Sequence, residues 1–401
     1  MLLPDSLAVP NEKKILLVVI DGLGGLPVDG KTELEAAATP NLDRLAARSS
    51  LGLHTPVGLG ITPGSGPAHL ALFGYDPVQY QVGRGVLEAL GVGLEVGPHD
   101  LCARANFATI GRDGLLLDRR AGRITTDKCA ELCTRLRKAI PVLGDIEVII
   151  RPGREHRFVV VFRGPGLESG LTDSDPLHEG VAPNEVRAET TAAEKAAGAA
   201  NAFIRECARV LADEPRANCV LLRGLDRPPR IPSMQERFKL KPACFATYPM
   251  YKGLARLVGM DVIEAGSSWE AELAALHEQM RNYDFFFLHL KETDKAGEDG
   301  DFEAKVELIE RFDEEVLPRL LRMGFDVLCI TGDHSTPAKL RGHSWHSVPF
   351  LLHSPWGRAS GTRDEFSEKA CLHGAFGSHI PACLLMNLML AHALKLRKFG
   401  A

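Results

Sequence analysis

Residues Lys14–Gly22 read KILLVVIDG, six consecutive apolar residues closed by an aspartate and a glycine. A strand with one wet face alternates apolar and polar positions. An unbroken apolar run of this length is instead the pattern of a strand buried on both faces, as in parallel sheets. Downstream, Thr39-Pro40 opens a stretch of helical periodicity, Asn41–Ser49 (NLDRLAARS), and Leu51–Val57 can resume extended structure. The chain therefore opens as a βαβ unit.

The same pattern returns near the other end. Asp284–Leu290 (DFFFLHL) reads as a strand, Phe302–Met323 as an amphipathic helix and Phe325–Thr331 (FDVLCIT) as another strand. Between these halves the character changes. Short strands are expected at Asn106–Ile110, Gly114–Leu117, Ile146–Ile150 and Phe158–Phe162, mixed with helices such as Thr191–Leu211, which is an α+β composition. The expected fold class is α/β: a doubly wound, mostly parallel sheet forming a discontinuous core, residues 1–96 and 242–401, with a smaller α+β cap domain inserted at 97–241. The junctions are read from VGPHD near residue 97 and from the proline-rich stretch around Asp226–Ser233.

Composition narrows the function classes. With 401 residues, 45% of them hydrophobic, the chain can bury a large core, and a net charge of −5 leaves no basic excess for a nucleic-acid backbone. Met1–Pro10 lacks the charged and apolar blocks of an export signal, and no window is apolar enough to span a bilayer, so no membrane partner and a cytoplasmic location are expected. Nine cysteines without a CxxC suggest reduced structural thiols.

Three expected strands run into acidic residues: VVIDG places Asp21, FLHLKETD places Asp294, and CITGDH places Asp333 and His334. The carboxyl ends of strands in an open parallel sheet form its ligand crevice. Glu298 follows Asp294 by four residues, and His343 precedes the apolar run Val348–His353. Oxygen and imidazole donors without thiolates suit manganese, zinc or magnesium, and two such ions clamp the oxygens of phosphoryl transfer. Ser65, in TPGSGPAH, sits where a helix is expected to begin near Pro67, a position at which backbone N–H groups favour phosphate. Its flanks are not those of a GxSxG elbow, and the aspartate–histidine cluster favours a metal over a histidine base for activating it.

In order along the chain, DGLGGLP, KTELEAAATPNLDRLA, TPGSGPAHLALFGYDP, GRGVLEALGVGLEV, NFATI, DRRAGRI, EHRF, TGDHSTP and HSVPF resemble the archaeal-type cofactor-independent phosphoglycerate mutases, of the alkaline phosphatase superfamily. That resemblance implies an alkaline-phosphatase-like core with two divalent metals, manganese first with zinc, magnesium or cobalt as alternatives, and no bisphosphoglycerate. It implies that Asp21, Ser65, Asp333 and His334 hold one metal, and that Asp294, residue 298 and His343 hold the other. It further implies a phosphorylated Ser65, a phosphoryl-contacting Lys252, and binding of phosphoglycerate, a small phosphorylated substrate, by Arg119, Arg120, Arg123, His156 and Arg157 of the cap. The sequence departs from the family at Glu298, where most members have histidine. Rival readings are a phosphatase, a phosphopentomutase or a homoserine kinase on the same scaffold, and a metal-binding regulatory protein without turnover. Oligomeric state is not legible.

Overall fold

The computed structural model describes residues 5–358 and 365–400. Its strands, in chain order, are β1 (Ile15–Ile20), β2 (Ser50–Thr55), β3 (Leu101–Ile110), β4 (Leu116–Asp118), β5 (Val142–Leu143), β6 (Ile146–Pro152), β7 (Arg157–Arg163), β8 (Cys219–Asp226), β9 (Pro242–Phe245), β10 (Asp261–Val262), β11 (Phe285–Leu290), β12 (Val327–Thr331), β13 (Val348–His353) and β14 (Gly377–Pro381). The chain divides into two compact units, one running up to Gln81 and again from Ile231, the other Val82–Arg230.

The first unit is built on one sheet in the order β10-β9-β11-β1-β12-β13-β2-β14. β1 pairs in parallel with β11 on one side and β12 on the other. Only β13 runs antiparallel to both of its neighbours. Every residue of β1, β11 and β12 is buried, because helices cover both faces, which is why these strands carry no polar alternation. On one face Leu16, Val18 and Ile20 join Leu42, Leu45, Ile309 and Phe312 in the core. On the other, Phe287 meets Phe73 edge to face at 4.9 Å. This is the expected α/β class with a mostly parallel sheet.

The second unit carries an antiparallel sheet, β4-β3-β7-β6-β5, with β8 paired to β3 along Cys102–Ala108, ahead of the two residues that pair with β4. Helices Thr126–Ala139 and Glu194–Val210 pack on one face through Leu132, Leu136, Ala200 and Phe203. The sequence-based junction near 97 lies later than the observed one, because helix Arg84–Gly91 packs Val86 and Ala89 on Cys102, Val159 and Val161 of this sheet. The proline-rich stretch after Asp226 leads out of the unit, whereas β8 was not foreseen. The helix expected over Phe302–Met323 is interrupted: a wider turn at Phe312–Val316 separates Phe302–Arg311 from Leu317–Met323.

Beneath the carboxyl ends of the first sheet lies a neutral buried histidine. His54 of β2 is fully buried, its Nε2 3.0 Å from the Gly332 carbonyl and 3.0 Å from Thr331 Oγ1. Burial pushes its pKa from 6.5 down to about 4. The unfolded chain therefore binds a proton between those values that the folded chain refuses. The stability His54 contributes is intact above pH 6.5 and lost as pH falls towards 4, by roughly 3 kcal/mol at the limit. Melting temperature should drop across that window, and His54→Gln should flatten the drop; equal slopes in both proteins would remove His54 as its source.

Candidate metal centre and nucleophile

Asp21 follows β1 directly and Asp333 follows β12 by one residue, so neighbouring parallel strands deliver two carboxylates to one edge of the sheet. Both are fully buried. Asp333 Oδ1 accepts from the Gly22 amide at 3.1 Å, while its Oδ2 lies 3.1 Å from His334 Nε2 and 3.2 Å from His69 Nδ1. Asp21 Oδ2 accepts from Tyr251 Oη at 2.5 Å and lies 3.0 Å from Lys291 Nζ. Gly22 sits at φ +68°, and a Cβ there would come within 2.6 Å of Thr336 Oγ1, so the turn requires glycine.

Asp294 enters from the helix Glu292–Asp299, which begins just beyond β11. Its Oδ1 accepts from Thr336 Oγ1 at 2.8 Å and lies 3.4 Å from His343 Nε2, while Lys291 binds Oδ2. Burial works against ionisation of Asp294, but His343 and Lys291 outweigh it and hold the carboxyl well below its ordinary range. The same pairing acts on His343. Burial lowers its pKa, yet the Asp294 carboxylate and the Pro63 carbonyl raise it to about 9. The His334 and His343 rings stack with centroids 3.6 Å apart.

Ser65 begins the helix Ser65–Leu72 itself, with Gly64 rather than serine at the cap position and the start two residues earlier than expected. Its Oγ makes no capping bond and lies 3.2 Å from His334 Nε2. One turn on, His69 Nδ1 donates to the Ser65 carbonyl at 2.8 Å, which fixes the helix end against the carboxylates.

These donors fit divalent cations. Asp21, Asp333 and His334 place ligand atoms within 4.8 Å of one another, and so do Asp294, His334 and His343. Asp21 Oδ1 and Asp333 Oδ2 are buried without a hydrogen-bond partner, which is costly for carboxylates unless a cation faces them. Glu298 stands at the rim, its side chain 54% exposed and its Oε1 3.9 Å from His343 Nε2. Lys252 is held by Glu264 at 2.6 Å. Its neighbour Tyr251, together with Lys291, His69 and His289, touches the carboxylates and was not foreseen. Lys291 alone left a signal, as a cation immediately after a strand end and three residues before Asp294.

In the second unit, Arg119 is fully engaged with Asp175 through two bonds of 2.7 Å. His156 is buried, and burial followed by the charges of Arg157, Arg104 and Arg120 takes its pKa down to about 4. Arg157 Nε is buried and unpaired, whereas Arg120 and Arg123 are exposed on the turn after β4.

A family model described as 2,3-bisphosphoglycerate-independent phosphoglycerate mutase matches residues 46–217. The chain is 52% identical over 406 residues to a probable 2,3-bisphosphoglycerate-independent phosphoglycerate mutase of Aquifex aeolicus, covering 99% of each. It is 52% identical over 401 residues to the protein of that name from Thermus thermophilus, covering 99% of this chain and 98% of the other. Among solved structures, a cofactor-independent phosphoglycerate mutase of Thermoplasma acidophilum is 32% identical with a TM-score of 0.75, over 95% of this chain and 100% of that one. A protein of Pyrococcus horikoshii is 31% identical with a TM-score of 0.82, over 97% and 99%.

Proposed function

The chain belongs to the 2,3-bisphosphoglycerate-independent phosphoglycerate mutases, and from that premise we propose how its residues interconvert 2- and 3-phosphoglycerate. The observation that carries the reading is Ser65 Oγ at a helix start, 3.2 Å from His334, beside two groups of cation-seeking donors.

Asp21, Ser65, Asp333 and His334 would hold one divalent ion, and Asp294, Glu298 and His343 the other; the oxygen-rich set suits manganese, with zinc, magnesium and cobalt as the alternatives. Bound there, the ions make the serine hydroxyl more acidic and offset the charge of the transferring phosphoryl group. Ser65 Oγ attacks phosphorus, the ester oxygen of the substrate leaves, and the serine proton ends on that oxygen. Glycerate then presents its other hydroxyl to the phosphoserine, the O–P bond to Ser65 breaks, and the serine recovers a proton. The amides at the start of the Ser65 helix stabilise the transferring group, and Lys291 and Tyr251 fix Asp21. Lys252 is assigned to the phosphoryl group, which requires it to leave Glu264. Arg119, Arg120, Arg123, His156 and Arg157 are assigned to substrate binding, Arg119 through its hold on Asp175.

Among the described residues no helix is long and apolar enough to cross a membrane, and we place the protein in the cytoplasm with a small-molecule substrate. The deciding experiment is a coupled assay of 3-phosphoglycerate conversion across a panel of divalent ions, with ATP plus homoserine as the control. Conversion without ATP supports the mutase, and homoserine phosphorylation alone would replace it with a kinase. Arg120→Ala and Arg157→Ala should each lower kcat/KM by the worth of one charge-assisted contact, roughly 1.5–3 kcal/mol, with metal content unchanged. Unchanged kinetics in both would withdraw the second unit from substrate binding.

A further inference from the structure

Thr336 stands two residues after His334 in TGDHSTP and has no role in the motif-based assignment. It is fully buried and touches both groups of cation-seeking donors. Its Oγ1 lies 2.8 Å from Asp294 Oδ1 and 2.9 Å from His334 Nδ1. An ionised carboxylate can only accept, so the one hydroxyl proton goes to Asp294. The hydroxyl oxygen is then left as an acceptor, and the proton it receives sits on His334 Nδ1. In the neutral ring the Nε2 electron pair therefore faces Ser65 Oγ at 3.2 Å, Asp333 Oδ2 at 3.1 Å and Asp21 Oδ1 at 3.5 Å.

The surroundings keep this hydroxyl in place. Gly22, next to Asp21, and Gly297, three residues after Asp294, both lie against Thr336. A Cβ would come within 2.6 Å of its Oγ1 at the first and 2.2 Å of its carbonyl oxygen at the second. Lys305, from the helix Phe302–Arg311, is fully buried and donates to the Thr336 carbonyl at 2.9 Å and to the Gly24 carbonyl at 3.0 Å. The Thr336 amide also donates to Gly24, at 3.1 Å. Burial works against the Lys305 charge, and Glu33, Glu368 and Asp294 offset it. A cation taken out of water at that cost holds the loop after β12 against the loop after β1.

We infer that Thr336 is a positioning residue that ties the two cation groups together, setting the tautomer of His334 in one and the orientation of Asp294 in the other. Histidine ligands donate their second N–H, and carboxylate ligands are hydrogen-bonded in turn. Here one hydroxyl does both. The bridge also divides the donors. His334 Nδ1, the nitrogen 4.0 Å from Asp294 Oδ1, is taken up by Thr336, so His334 serves the Asp21 and Asp333 group. The other ion is left to Asp294, His343 and Glu298. The inference rests on the two-cation reading of the site and not on phosphoglycerate as the substrate.

The test is calorimetric titration of the metal-stripped, full-length protein with manganese. Thr336→Val keeps the side-chain shape and removes the hydroxyl, so it should weaken uptake of both ions about 10- to 100-fold. Thr336→Ser keeps the hydroxyl and loses only the methyl group, so it should retain most of the affinity. With cobalt in place of manganese, the visible absorption spectrum should change in Thr336→Val and not in Thr336→Ser, because only the first frees the His334 ring. Unchanged affinity in Thr336→Val overturns the bridge and leaves the metal centre standing. Loss of one ion alone, or an equal loss in Thr336→Ser, overturns it as well. Manganese uptake that falls in Thr336→Val but not in Thr336→Ser, in a protein lacking phosphoglycerate conversion, would sustain the bridge and overturn the mutase reading.

Discussion

Ser65→Ala removes turnover while the protein keeps its fold. On the proposed path the Ser65 hydroxyl, at the start of its helix, carries the phosphoryl group between two oxygens of the substrate. Its loss should lower kcat by about three orders of magnitude or more, as for other enzymes deprived of their nucleophile. Stability should hardly change, because Oγ caps nothing and the residue is only half-buried. The checks are the coupled assay, a melting curve and recovery of a phosphorylated peptide spanning Thr62–Leu72 from the unaltered enzyme. More than a few per cent of residual activity would exclude a phosphoserine path.

Glu298→Ala should cost about one bound ion per chain and nearly all transfer. Glu298 follows Asp294 by one turn of the helix Glu292–Asp299, so the two carboxylates share a helix face. Its Oε1 stands 3.9 Å from His343 Nε2, on the side of the site that Asp294 and His343 line. The resemblance implies imidazole at this place, and a carboxylate there adds a negative charge and favours harder ions. Glu298→His should therefore recover part of the activity and shift preference towards zinc or cobalt. Metal analysis decides the matter: two ions per chain and normal activity in Glu298→Ala would leave this residue as a surface carboxylate.

The sequence exposes the parts of this molecule that obey local rules. KILLVVI, DFFFLHL and FDVLCIT announce doubly buried strands because nothing in them alternates, and Asp21 and Asp333 announce themselves as the first acids beyond such strands. What stayed hidden depends on partners far along the chain. His289 looks like a stray polar residue within an apolar strand until β11 lies beside β1 and brings it to 3.3 Å from Asp21. Tyr251 gives no sign of reaching a residue 230 positions away. Arg104 lies outside the strand expected at Asn106–Ile110 and Arg223 in β8, which was not foreseen, so nothing local pointed to their pairing. The early junction was missed for the same reason: helix Arg84–Gly91 has no local mark of which sheet it will cover.

The insertion also imposes an order of birth. β1 emerges early from a ribosome, but its two neighbours are β11 and β12, with Ile15 set against Phe285 and Val327. At translation rates of roughly 5–20 residues per second, the strand waits on the order of 15–60 seconds for both of them. The second unit is continuous from Val82 to Arg230, and its whole sheet is available before β11 has been made. For that interval ILLVVI is an apolar segment without its sheet, the kind of segment that recruits chaperones or other chains. A substitution that slows closure of the first unit would therefore be felt as lost yield during synthesis before it was felt as lost stability in the finished protein.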